Sequence, residues 1–146
     1  MKKSVRKVRV QLNITDQDIP LIFGLVSTDP DYKLSLRLNH KLDISLRNSA
    51  PLLLKESPQN EMYFARFSDN QGSPDTCIHL ISNRSGKKFL LKSLKNIDYL
   101  LLVHDNTNTI NISLLPGELR KIENVTAVFT LDFNSLKDKN RNFLLL

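Results

Sequence analysis

The 146 residues contain one cysteine, four glycines and no tryptophan. A lone thiol, Cys77, cannot close an intrachain disulfide, which fits a reducing compartment and points to the cytoplasm. Four glycines leave little material for a phosphate-cradling loop, and neither a His-Glu zinc motif nor a nucleophile elbow occurs. Long hydrophobic runs are also missing. The longest near the N-terminus, Ile19 to Val26, is broken by Pro20 and Gly24 and is too short to span a bilayer, so no membrane partner is expected. The opening Met1-Lys2-Lys3-Ser4-Val5-Arg6-Lys7 imitates the head of a signal peptide. However, Val8, Val10, Leu12 and Ile14 alternate with Arg9, Gln11, Asn13 and Thr15, and the unbroken apolar stretch of a secretory segment does not follow.

The composition, 40% hydrophobic and 25% charged, is that of a globular protein. A chain of this length forms one domain, residues 1 to 146, and can bury roughly 70% of the surface its unfolded form exposes. The net charge of +6 is unevenly placed. Lys2, Lys3, Arg6, Lys7 and Arg9 hold five of the 21 basic residues, which leaves 16 against 15 acidic residues in the remainder. The body is nearly neutral, and only the N-terminus looks electrostatically prepared for an anionic partner.

The pattern is organised around Ile97-Asp98-Tyr99-Leu100-Leu101-Leu102-Val103, an apolar run that reads as a strand buried on both faces at the centre of a sheet. Period-two alternation marks residues 5 to 14 as a half-buried strand, and Ile19 to Ser27, entered at Pro20, reads as a second, more fully buried one. From Thr28 the signals conflict. Tyr32, Leu34, Leu36 and Leu38 alternate as in a strand, yet Leu34, Leu38 and Leu42 also fall four apart, as do Tyr32 and Leu36, which gives a broad apolar face when wound as a helix. With Asp29 as cap and Pro30 at the first helical position, the spacing predicts a helix over 30 to 42, with a short strand near Ile44 to Leu46. Pro51 and Pro58 predict a surface loop from Asn48 to Asn60 around an apolar patch, Leu52 to Leu54. Glu61 to Phe67 and Thr76 to Ser82 read as a hairpin across a turn-rich segment. Lys87 to Leu91 and Ile110 to Leu114 read as short strands, Pro116 to Glu123 as a helix, and Val125 to Phe133 as the last strand. Residues 1 to 4 and 134 to 146 read as flexible ends. The fold class expected is α+β: a single domain with a mainly antiparallel sheet and two helices packed on one face.

At Ile97-Asp98-Tyr99 the sequence resembles the IPExxxVDY proteins, a bacterial family of the Bacteroidetes, at that family's Val-Asp-Tyr. Asp31-Tyr32-Lys33-Leu34 with Leu38-Asn39, Leu80-Ile81-Ser82-Asn83, and Val125 to Asp132 extend the similarity, which covers about residues 19 to 133. Leu91-Lys92-Ser93 occupies the Ile-Pro-Glu positions and lacks the proline and the acid, so no role of those two residues carries over. The resemblance implies a small protein with no established activity and supports the helix over 30 to 42.

Three sets of residues could carry function. Asp31, Tyr32, Asn39, Asp98 and Tyr99 would hold a small ligand if they shared a crevice, with Asn83 or Arg47 assisting. Helix capping and buried hydroxyl partners explain the same residues without a ligand. Lys2, Lys3, Arg6, Lys7 and Arg9 could neutralise nucleic-acid phosphates, although a solvated strand edge accounts for them equally. Cys77 and His79 share one face of a strand but lack two further zinc ligands, so neither a metal nor another cofactor is expected. An enzyme would require at least two of Asp31, Asp98, His79 and His104 to meet in one cleft. The expectation is a non-catalytic cytoplasmic interaction or scaffold domain, binding a protein partner or itself through a sheet edge or the Leu52 to Leu54 patch. The alternative is weak RNA or DNA binding through the basic N-terminus.

Overall fold

The computed structural model describes residues 19–69, 76–105 and 110–145. In chain order these form β1 (Leu21–Ser27), α1 (Asp31–Leu42), β2 (Arg47–Ser57), β3 (Asn60–Asp69) and β4 (Thr76–Ser82). There follow β5 (Arg84–Ser85), β6 (Lys88–Phe89), β7 (Tyr99–Asp105), α2 (Leu115–Arg120) and β8 (Val125–Leu131), then 3-10 turns at Phe133–Ser135 and Lys139–Leu144. Six of the strands make one antiparallel sheet in the order β2-β3-β4-β7-β1-β8, while β5 and β6 pair separately. The architecture is α+β. The basic cluster Lys2, Lys3, Arg6, Lys7 and Arg9 and the expected strand over 5 to 14 lie outside the described residues.

The apolar run places β7 inside the sheet, between β4 and β1, because only an interior strand can bury both faces. Its side chains alternate between two cores. Tyr99, Leu101 and Val103 join Phe23, Leu25, Leu80 and the helical Leu34, Leu38, Leu115 and Leu119. Leu100 and Leu102 join Ile22, Phe64, Ile81, Leu90, Leu91 and Ile97 on the opposite side. Both helices therefore cover one face. The other is closed by the 85 to 97 connection and the C-terminal turns, whose Phe133, Leu136 and Leu144 are buried. The end of the chain, expected to be flexible, is thus part of the core. No helix among the described residues is long and apolar enough to cross a membrane.

The helix over 30 to 42 forms as Asp31–Leu42, with Pro30 rather than Asp29 at its N-cap. The Pro30 carbonyl accepts from the Lys33 and Leu34 N–H groups at 3.1 and 3.0 Å. The helix ends at Asp43, whose left-handed φ of 54° turns the chain out and lets its N–H reach the Asn39 carbonyl. Its buried stripe is narrow. Leu34 and Leu38 are fully buried, but Tyr32 and Leu36, expected to add to an apolar face, are 60% and 63% exposed.

Residues 48 to 60 are no loop: they complete the β2–β3 hairpin, with Pro58 and Gln59 in the turn between the paired Ser57 and Asn60. Pro51 is tolerated because β2 is an edge strand and the ladder shifts register between Ser49 and Leu52, where no ladder N–H is needed. Leu52 and Leu54 point inward beside Met62 and Phe64, so the expected apolar patch is mostly core. The short strands expected at Ile44 to Leu46 and Ile110 to Leu114 do not form, though Leu46 is buried beneath α1. The later helix is shorter than expected, Leu115–Arg120.

Candidate functional site

The polar residues singled out by the sequence meet partners mainly where β1 enters α1. Ser27 ends β1, and its N–H donates to Asp98 Oδ2 at 3.0 Å while its Oγ accepts the Asp29 N–H at 3.1 Å. Asp98 Oδ1 also takes Arg84 Nε at 2.9 Å. The Tyr99 hydroxyl donates to the Asp29 carbonyl at 2.6 Å. Burial, then the charges of Asp31, Asp98 and Asp29, push the Tyr99 phenol up to about 12.

Asp29, which the sequence marks only as a helix cap, is itself buried. Arg37 Nε donates to its Oδ2 at 2.7 Å and Asn124 Nδ2 to its Oδ1 at 2.9 Å. Burial alone would raise this carboxyl; the Asn124 hydrogen bond and the Arg37 guanidinium outweigh it and hold the group below the usual carboxylate range. Arg37 spans onward to Glu123 at 2.9 Å, joining α1 to the segment that follows α2. Asn124 adopts a left-handed φ of 68°, a conformation asparagine accepts more readily than most residues. An asparagine between a helix and a strand was the available signal for that corner. Nothing local marks Asp29 as buried.

Of the five residues proposed as a ligand site, the structure brings Asp98 and Tyr99 together, with Asp31 near enough for its charge to act on the phenol. The Asp31 carboxylate accepts the neighbouring Tyr32 N–H at 2.7 Å, and Tyr32 faces solvent. Asn39 lies towards the far end of α1, clamping Leu46 through its N–H at 2.7 Å and its carbonyl at 3.1 Å. Arg47 is exposed at the start of β2. Asn83 is fully buried and saturated: it donates to the Leu94 and Ile97 carbonyls and accepts the Leu91 N–H at 2.8 Å.

The acids and histidines named for catalysis lie at opposite ends of the sheet. Asp98 precedes β7, whereas His104 is near its far end, a separation of about 20 Å at ordinary strand rise. His79 Nδ1 is 2.7 Å from Ser68 Oγ on β3. Burial, then Arg66 and His104, lower its pKa to about 4. Cys77 is half-buried, in register with His104 across the β4–β7 ladder. No cluster of three or more metal-ligating side chains occurs among the described residues.

A groove of about 500 Å3 runs along α1 and the segment after α2. Lys33, Arg37, His40 and Lys41 reach it from successive turns of α1, and Lys121 and Glu123 from the other side. These positions share a face because helical neighbours recur every three to four residues. Leu36 supplies an apolar surface between them. Arg37 is tied to Asp29 and Glu123, and Lys41 and Lys121 approach Glu118 at 3.4 and 3.7 Å; Lys33 has no ion pair among the described residues. A second cavity of about 560 Å3 lies between Glu56 of β2 and Asp138 near the C-terminus. Its lining mixes both signs of charge, with Lys92 and Glu56 paired at 3.5 Å.

Comparison with protein-family models, with curated proteins and with solved structures finds no match.

Proposed function

We propose that this chain is a non-catalytic interaction domain of the cytoplasm that binds an acidic segment of a partner protein in the α1 groove. The observation that carries this reading is the groove's lining, in which basic side chains outnumber the single acid, Glu123, around the exposed Leu36. Elsewhere the conspicuous polar groups are occupied by the fold: Asp98 by Ser27 and Arg84, Tyr99 by Asp29, and Asn83 by three main-chain groups. A peptide with carboxylates flanking one apolar residue complements both the charge and Leu36. Nucleic acid fits less well, because the groove lining includes no Phe, Tyr or Trp on which a base could stack. The basic cluster that motivates nucleic-acid binding, Lys2 to Arg9, lies outside the described residues. The sequence resemblance to the IPExxxVDY proteins belongs with this proposal and adds no chemistry to it.

The test is fluorescence anisotropy with labelled Glu-rich peptides carrying one central Leu, against a DNA duplex and a single-stranded RNA as competitors. Saturable binding that weakens with salt and is lost in Lys33→Glu/Lys121→Glu supports the groove. Absence of peptide binding at low salt, binding indifferent to the double reversal, or displacement by either nucleic acid overturns it.

A further inference from the structure

We infer that two copies of this chain pair through the outer edge of β8. An exposed strand edge presents unpaired main-chain N–H and C=O groups and pairs with another chain unless something blocks it. The sheet's two edges are built differently. β2 carries Pro51, Lys55 and Glu56 and is distorted by register shifts between Ser49 and Leu52 and between Lys55 and Ser57. The proline and the charges discourage a neighbour. β8, at the other edge, is Val125-Thr126-Ala127-Val128-Phe129-Thr130-Leu131: seven residues without a charge or a proline, with one register shift at Thr126 between the paired Val125 and Ala127, and no strand pairs with its outer side among the described residues. Valine, threonine and phenylalanine are strong strand formers. Phe129 is left 41% exposed.

A second copy is the occupant that β8 itself specifies. An antiparallel pair of identical strands has a twofold axis, and with Val128 on that axis each contact becomes complementary. Thr126 faces Thr130 of the other copy, a favourable cross-strand pair. Ala127 faces Phe129, so the small side chain makes room for the exposed ring. No like charges oppose one another, because the strand contains none. The axis stands perpendicular to the sheet, so the two sheets continue as one with both helix layers on the same side. β8 begins directly after Glu123 and Asn124, and the two copies therefore present their α1 grooves on a common face. The pairing does not depend on what those grooves bind. One seven-residue edge gives a modest interface, and the expected behaviour is a concentration-dependent monomer–dimer equilibrium.

Sedimentation velocity of the full chain over a wide concentration range should show that equilibrium. Thr130→Lys, or Thr126→Lys if the first variant loses its circular dichroism spectrum, should shift it to monomer. Mixing Thr126→Cys protein with Thr130→Cys protein under mild oxidation should give a 126–130 disulfide, identified by peptide mass spectrometry, that neither variant forms alone. A chain that stays monomeric throughout overturns the proposal, as does self-association unaffected by both lysines or cross-linking confined to other positions.

Discussion

The Tyr99 hydroxyl reaches the main-chain carbonyl of Asp29 at 2.6 Å, joining residues 70 positions apart and fixing the corner where β1 turns into α1. Since Tyr99 is also a wall of the helix-side core, one side chain contributes packing and satisfies a buried acceptor. Tyr99→Phe keeps the ring and removes the donor. It should lower unfolding free energy by about 1 to 2 kcal/mol, the usual cost of leaving a buried acceptor unpaired, read from urea denaturation. The phenol titrates near 10 when unfolded and near 12 in the fold. The unfolded chain therefore loses its proton first, and stability should fall as pH rises from about 10 towards 12. Tyr99→Phe should flatten that decline.

His79 gives the opposite slope. Its pKa drops from 6.5 to about 4 on folding, so between those values the unfolded state holds the extra proton. Its contribution is complete above 6.5 and is lost as pH falls towards 4. His79→Gln should remove that part of the acid sensitivity, so denaturation midpoints at pH 7 and pH 5 should lie closer together than in the parent chain.

Asn83 replaces a turn of regular structure with side-chain hydrogen bonds. Its amide holds the Leu94 and Ile97 carbonyls and the Leu91 N–H, which positions the connection over the second core. Asn83→Ala leaves these three groups without it and should cost about 3 kcal/mol, roughly one per hydrogen bond. Asn83→Asp should do worse at neutral pH, because it exchanges two donors for a buried charge, and should recover partly in mild acid. Thermal unfolding across pH 5 to 8 separates the two variants.

Gly24 is required by its neighbour. A Cβ there would stand 2.5 Å from Ile97 Cδ1, and Ile97 is buried against the sheet. Gly24→Ala should destabilise by about 1 to 3 kcal/mol, the cost of overpacking. Adding Ile97→Val removes the closest atom but leaves both γ carbons near, so the double variant should recover part of the loss. A double-mutant cycle measures that coupling.

The elements legible in the sequence are those whose signal is local and strong. The run from Tyr99 to Val103 could only be an interior strand, and the spacing of Leu34 and Leu38 outweighed the strand-like alternation around them. In the sequence, β2 reads as a loop because two prolines dominate the local pattern, although Leu52 and Leu54 already alternate inward. Proline forbids an interior strand but not an edge, and edge position is decided by the other strands.

Residue types and periodicity by themselves determined that this chain folds as an α+β domain, that its central strand is buried on both faces and that a helix follows β1. These follow from which side chains must leave water, a property each segment carries with it. Only the tertiary structure decided that Asp29 is paired with Arg37 and Asn124, that Asn83 is saturated and that Lys33 and Lys121 share one groove. Hydrogen bonds and ion pairs require particular atoms within about 3 Å, and their partners come from distant segments that only the folded sheet and helices bring together.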